Sequence, residues 1–235
     1  LCTGDPFALM VRPVPDGQGL NPLLQNWYMV IHPPVLFLGF AAVAVPFALA
    51  LAAMAGGFRD QAWLRTAGTW SMISWIFLTA GITLGGRWAY EELGWGGYWA
   101  WDPVENASLL PWLVMTGLLH SLIQYRWKGT LKIWSFILLL AAFELTIFGT
   151  FITRSGVLSS VHAFGNSGIG PFLVWFMVLS SLLFLGWMIL RRRHFGLGPS
   201  PVSPLARDFY FVLANWVLVL LTVAIFAGTM MPAVS

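Results

Sequence analysis

Six apolar stretches divide the chain, at roughly 35–54, 68–85, 109–125, 133–152, 171–190 and 211–230. Each comes near the ~20 residues that a helix rising ~1.5 Å per residue needs to cross a ~30 Å hydrocarbon layer. The stretches are continuously apolar rather than alternating, which excludes a membrane-spanning barrel. The pattern predicts an all-α membrane protein, a bundle of about six transmembrane helices with short interfacial helices beside them.

Lys and Arg orient this bundle. Arg59, Arg65, Arg126, Lys128, Lys132, Arg191, Arg192, Arg193 and Arg207 share one face, nine of the twelve basic residues. The positive-inside rule makes that face cytoplasmic. The other face holds Arg12, Arg87 and Arg154 with six of the nine acids, Asp5, Asp16, Glu91, Glu92, Asp102 and Glu105. The expected layout is an external segment over 1–34 with an interfacial helix (Asn21 to Ile31) and His32, then helices one and two over 35–85. A Trp-rich external loop over 86–108, helices three and four over 109–152, an external loop over 153–170 and helices five and six over 171–235 complete it. Both ends of the chain then lie outside. Its start, Leu1-Cys2-Thr3, has neither an initiator Met nor a signal-peptide pattern, which predicts an internal piece of a longer protein.

Composition narrows the class. Hydrophobic residues make up 58% of the 235 and charged residues 9%, too few charges to cover a soluble surface of this size. A soluble enzyme, a disordered chain and a disulfide scaffold are excluded. Cys2 is the one cysteine, so the chain forms no internal disulfide and has no Cys-x-x-Cys-His haem-attachment motif of its own. No nucleic-acid partner is expected; membrane lipid is.

The 14 Trp and 24 Gly exceed what spanning requires. Trp88, Trp95, Trp99 and Trp101 fall with Tyr90 and Tyr98 in one external stretch, interrupted by Gly94, Gly96 and Gly97. An aromatic belt takes one or two rings per helix end. A glycine-broken row instead gives flat walls and backbone able to approach a partner closely, which suits a large planar ligand with polar edges. Asp102-Pro103-Val104-Glu105 has a local meaning besides. Asp at the N-cap, Pro at the first helical position and Glu at N3 predict a helix starting at about Pro103.

Topology sorts the four histidines. His32, ahead of Pro33-Pro34, and His162, in the loop after Arg154-Ser155-Gly156, share the face of the Trp-rich loop. Two neutral imidazoles there are able to fill both axial positions of a haem iron, with Arg87 and Arg154 as candidates for its propionates. Both arginines equally suit a helix-end anchor in the headgroups. His120 lies ~16 Å inside span three and is a functional candidate by its depth, with a neutral, helix-bonded role as the alternative. Glu144 is the one acid inside a span, suited to a buried hydrogen bond or a proton path. His194 sits in the basic run Arg191-Arg192-Arg193 and reads as a bystander.

Trp95-Gly96-Gly97-Tyr98-Trp99-Ala100-Trp101-Asp102-Pro103-Val104-Glu105-Asn106 resembles the "WWD" signature of the haem-handling membrane proteins of cytochrome c maturation. Asn21-Pro22-Leu23-Leu24-Gln25, His32-Pro33-Pro34, Leu109-Leu110-Pro111-Trp112 and Thr153-Arg154-Ser155-Gly156-Val157 resemble its CcmF branch, the cytochrome c haem lyases, and the motifs together run from Asn21 to Phe164. The resemblance implies His32 and His162 as external axial ligands of a haem b substrate. It implies a platform of Trp88, Trp95, Gly96, Gly97, Tyr98, Trp99, Trp101 and Asp102. His120 would be one ligand of a second, buried haem b whose other ligand lies outside this chain.

The implied activity is attachment of haem vinyl groups to the thiols of an apocytochrome c, on the periplasmic side of a bacterial inner membrane. The implied partners are a haem chaperone, apocytochrome c with its thiol-handling subunit, and quinol as reductant. The loop shows no side-chain nucleophile, because the reacting cysteines belong to the substrate, and no residue is assigned as catalytic. Two other readings stay open: an electron-transfer membrane cytochrome with a permanent haem, and a haem transporter or exporter.

Overall fold

A computed structural model describes residues 16–17, 19–58, 61–160, 162, 168–195 and 207–234. Cys2, Asp5, Arg12, Arg59 and Phe164 lie outside the described residues. The described residues form six long helices and no strand: α1 (Trp27–Gly56), α2 (Ala62–Glu92), α3 (Pro103–Lys128), α4 (Lys132–Ser155), α5 (Gly170–Leu190) and α6 (Arg207–Val234). All six are long and apolar enough to cross a membrane. Short 3-10 turns at Pro22–Leu24 and Arg192–Phe195 flank α1 and α5.

Two boundaries move from their expected places. α1 starts at Trp27 rather than near residue 35, so His32, Pro33 and Pro34 lie inside the helix and the separate interfacial helix shrinks to the Pro22–Leu24 turn. The Asn26 side chain caps the new start by accepting from Tyr28 N–H at 2.8 Å. Pro33 and Pro34 remove helical bonds only to carbonyls of the first turns, at the polar end of the helix. α2 continues to Glu92 rather than ending near 85, which puts Arg87, Trp88 and Tyr90 on the helix and not in the loop. An Arg87–Glu91 pair at 2.8 Å supports this last turn, and Asn26 Nδ2 donates to Glu91 and Glu92 at 3.1 and 2.8 Å.

The expected start of α3 is found where the sequence places it. Asp102 and Glu105 form a complete capping box ahead of Pro103. Gly129 ends α3 in the left-handed region at φ 68°, where a β-carbon is disfavoured.

α3 is the most enclosed helix, whereas α5 and α6 leave most of their surface outward. α1 and α2 pack backbone to backbone. A β-carbon at Gly39 would stand 2.8 Å from Leu78 N, and one at Gly81 would stand 2.7 Å from Leu36 Cα. Gly81 and Gly85 are thus the small-x-x-x-small pair that lets membrane helices close up. In the core, Phe47 stacks between Phe143 (4.0 Å between ring centroids) and Phe184 (5.1 Å).

Polar side chains lock the helices where apolar packing alone has no direction. Trp75 donates to Thr116 at 2.9 Å and Trp112 donates back to Thr79 at 2.8 Å, tying α2 to α3. Asn215 of α6, 1% exposed, accepts from Ser121 of α3 at 3.1 Å and from Trp134 of α4 at 3.2 Å. Asn106 donates to Thr229 at 3.1 Å and fixes the other end of α6.

Candidate functional site

Three visits of the chain to one end of the bundle enclose a cavity of about 50 Å³. α1 contributes His32 and Leu36, α2 contributes Ile82, Gly85 and Gly86, and the loop contributes Trp99. Val104, Glu105 and Ser108 come from the first turns of α3, and His162 comes from the connection after α4. The two external histidines singled out in the sequence therefore meet at one small space.

His32 stands on α1 against the glycine face of α2. A β-carbon at Gly85 would lie 2.5 Å from His32 Cε1, so the ring occupies the room that a side chain would take. Its Nδ1 lies 2.7 Å from Gly81 O, an atom that only accepts, so Nδ1 carries the proton. Nε2 is then the ring nitrogen with the free lone pair of the neutral imidazole.

His162 also sets its Nδ1 on an acceptor, from a different scaffold. Its Nδ1 lies 3.1 Å from Asp102 Oδ2, and the two side chains are 16% and 11% exposed. The same Oδ2 accepts from Ser160 Oγ at 2.6 Å and from Val104 N–H at 3.0 Å. Ser160 also accepts from His162 N–H at 3.0 Å, which folds the backbone just before the histidine. Burial works against the Asp102 carboxylate, but the bonds from His162, Ser160 and Val104 outweigh it and hold its pKa below the ordinary value. Asp102 thus caps α3 and orients an imidazole at once. A carboxylate on the distal ring nitrogen fixes the tautomer and strengthens the other nitrogen as a metal ligand.

The aromatic row divides by role. Trp99 lines the cavity, and its indole N–H is buried without a hydrogen-bond partner among the described residues. Trp88 is buried on α2, donates to Leu23 O at 3.0 Å and lies 5.4 Å from the His162 ring. Trp95 donates to Gly97 O at 2.9 Å, closing the glycine turn in which Gly96 adopts φ 73°. Tyr98 stacks on Tyr90 at 4.5 Å, and Trp101 is 63% exposed at φ 60°. Of the residues expected to form a platform, Trp99 alone borders the space between the histidines.

Arg87 pairs with Glu91 and lies against the rings of Tyr28 and Tyr90 at 5.9 and 5.7 Å, beside the loop and away from the cavity lining. Arg154 sits in the last turn of α4 and does not line the cavity. Sequence reasoning missed Ser160, and it read Gly85 as a helix-packing position with Gly81 and not as a wall of this cavity. A serine two residues before a candidate ligand was the available signal for the first.

His120 is remote from this end, on α3 in the membrane interior. Its Nδ1 lies 2.8 Å from Thr116 O, which again leaves Nε2 as the free nitrogen, and its ring lies 5.6 Å from Phe211. A metal could be held there by one imidazole of this chain, and no second described histidine stands near it. Glu144 accepts from Ser180 of α5 at 2.7 Å through Oε1, while Oε2 is buried without a partner among the described residues. His194 stacks on Phe58 at 3.7 Å, and burial and Lys132 lower its pKa.

Residues 3–158 match the profile of the "Cytochrome C assembly protein" family. "Cytochrome c-type biogenesis protein CycK" of Rhizobium meliloti (strain 1021) is 43% identical over 235 residues, covering 100% of this chain and 35% of the relative. "Cytochrome c-type biogenesis protein CcmF" of Escherichia coli (strain K12) is 42% identical over 240 residues, covering 100% of this chain and 36% of the relative. A solved "Cytochrome c Heme Lyase CcmF" superposes with a TM-score of 0.71 at 36% identity, over 88% of this chain and 31% of that one. The chain spans about a third of the length of the curated relatives it matches.

Proposed function

This chain belongs to the cytochrome c assembly protein family, and we propose on that basis that it forms the haem-holding part of a cytochrome c haem lyase. The observation that carries the reading is the pairing of His32 and His162 across one cavity, each with Nδ1 on an acceptor and Nε2 free. Bis-imidazole ligation of an iron uses that tautomer at both positions. The unpartnered Trp99 N–H at the same space supports it, because a propionate or another acceptor on an incoming ligand would satisfy that donor.

The haem is substrate here. A space of about 50 Å³ holds a water or two and not a porphyrin. The ring therefore enters by moving His162 and Trp99 off the wall made by α1 and α2, where His32 is fixed. With the iron held on both sides, a reduced Cys-x-x-Cys-His segment of an apocytochrome c presents two thiols to the vinyl groups. Each S–H bond breaks and adds across a C=C bond, forming one C–S and one C–H bond with no net oxidation. The contribution of the chain is positioning, which removes much of the entropic barrier between two bound reactants.

The setting follows the same reading: a bacterial inner membrane, with the Trp-rich loop and both ends of this chain on the periplasmic side. A haem chaperone delivers haem b, and apocytochrome c arrives with a thiol-handling subunit. A buried haem b, when bound, would be held in part by His120 through its Nε2 and would supply electrons, with quinol as their source; its second ligand would come from outside these 235 residues.

The test is the absorption spectrum of the haem-loaded protein beside His32→Ala and His162→Ala, followed by addition of a Cys-x-x-Cys-His peptide. The expected result is loss of low-spin bis-histidine bands in each variant, and transfer of wild-type haem into a covalent, acid-resistant adduct. Unchanged ligation in both variants, or haem that never leaves, overturns the reading.

A further inference from the structure

The end of the bundle opposite the Trp-rich loop holds a groove that haem handling does not use. Two adjoining hollows of about 770 and 360 Å³ lie between α2 and α3. Their mouth is formed by Arg65 and Thr66 on α2 and by Arg126 and Trp127 on α3. The inner part runs between Gly68 and Met72 on one wall and Leu119 and Ile123 on the other. The groove stays open because Gly68 has no side chain to fill it: a β-carbon there meets nothing within 4 Å. Farther along, the reciprocal Trp75–Thr116 and Trp112–Thr79 bonds draw the two helices together and close it.

Charge and polarity are segregated along this groove. Among the described residues no carboxylate lines either hollow. Among the described residues neither guanidinium is in an ion pair, and Arg126 lies 5.3 Å from the face of Trp127. Trp127 is 74% exposed, at the level where an indole anchors in headgroups. Below the arginines the walls are apolar apart from Thr69, whose hydroxyl donates to Arg65 O at 3.1 Å. From Gln61 to Ile73 the groove follows α2 for about 18 Å, close to the ~15 Å depth of one leaflet of hydrocarbon.

We propose that this groove binds one anionic phospholipid, with its phosphodiester between Arg65 and Arg126 and an acyl chain in the slot beside Gly68. A guanidinium matches phosphate oxygens with paired hydrogen bonds, and two of them with no ion-pair partner among the described residues favour an anion over a zwitterion. A neutral isoprenoid quinone fits the slot equally well but gains nothing from the two positive charges. The charge pattern selects the lipid.

Native mass spectrometry of the protein in detergent, with equal phosphatidylglycerol and phosphatidylcholine, tests this. Wild type is expected to retain phosphatidylglycerol preferentially, by about fivefold for each guanidinium and roughly thirtyfold for both. Arg65→Gln/Arg126→Gln is expected to lose that preference. Gly68→Leu is expected to lower retention of both lipids by filling the slot while leaving the arginines in place. If the double variant fails to fold, the wild-type lipid ratio and Gly68→Leu decide the matter. Equal retention of the two lipids by wild type, displacement by millimolar inorganic phosphate, undiminished binding in Gly68→Leu, or competition by a quinone each overturns the proposal.

Discussion

Asp102→Asn separates the charge of the cavity from its shape. The carboxylate oxygen Oδ2 accepts from Val104 N–H, Ser160 Oγ and His162 Nδ1 at 3.0, 2.6 and 3.1 Å. Asparagine keeps an acceptor of the same size and is as good an N-cap as aspartate, so the start of α3 survives. What changes is the charge behind each bond. A bond to a charged acceptor contributes about 1.5–3 kcal/mol and a neutral one about 0.5–1.5 kcal/mol. The three share one oxygen and are not independent, so the expected loss is roughly 2–3 kcal/mol rather than their full sum.

The pH dependence of that loss has a definite sign. The Asp102 pKa lies below its ordinary value. Its contribution is therefore complete above the unfolded carboxylate value of ~3.9 and disappears as pH falls through the lower folded value. The stability gap between wild type and Asp102→Asn should be full at neutral pH and close only in strong acid. Haem affinity, followed by absorbance titration at neutral pH, should fall about 10- to 100-fold, the usual effect of removing a carboxylate behind a ligating histidine. Wild-type affinity in Asp102→Asn, together with loss of affinity in His162→Ala, refutes the claim that Asp102 tunes the ligand.

Gly85→Ala places a methyl group 2.5 Å from His32 Cε1, which should displace the ring, break its bond to Gly81 and abolish haem titration while circular dichroism still reports an intact bundle. Overpacking of this kind costs about 1–3 kcal/mol, measurable as a lowered thermal midpoint. Asn215→Leu leaves Ser121 and Trp134 without their shared acceptor; the expected cost is at most about 2 kcal/mol, read from unfolding in mixed micelles, because hydrogen bonds between membrane helices average well under 1 kcal/mol. Glu144→Gln keeps an acceptor for Ser180, so thermal stability should stay within about 0.5 kcal/mol of wild type, and a larger drop would show that the carboxyl group has a further partner.

The bundle was legible because crossing a bilayer demands length and apolarity, and both are one-dimensional properties of a chain. The start of α3 was legible for a similar reason: Asp102, Pro103 and Glu105 act on backbone atoms within three residues. The first turns of α1 and the last turns of α2 were not. His32-Pro33-Pro34 reads locally as a break, and the Asn26 clamp on Glu91 and Glu92, which joins two ends of different helices, helps hold both extensions in place. The cavity was legible in its histidines, whose shared face follows from topology. The division of labour among the tryptophans was not, because Trp88, Trp95 and Trp101 differ in what backbone they meet rather than in sequence context. Asn215 and Ser160 act through partners 81 and 58 residues away, at distances where sequence pattern carries no signal.

The Asp102–His162 contact joins residues 60 positions apart and closes the hairpin of α3 and α4 into a ring. That fixes an order of events during synthesis. His32 and Gly85 meet as soon as α1 and α2 pair, and the Trp99 wall follows with the next connection. The second imidazole arrives only after α4 has returned the chain to the same side. On the proposed reading a nascent protein would until then offer an iron one of the two nitrogens, and the pair would be completed late, after the helices that shape the cavity are in place.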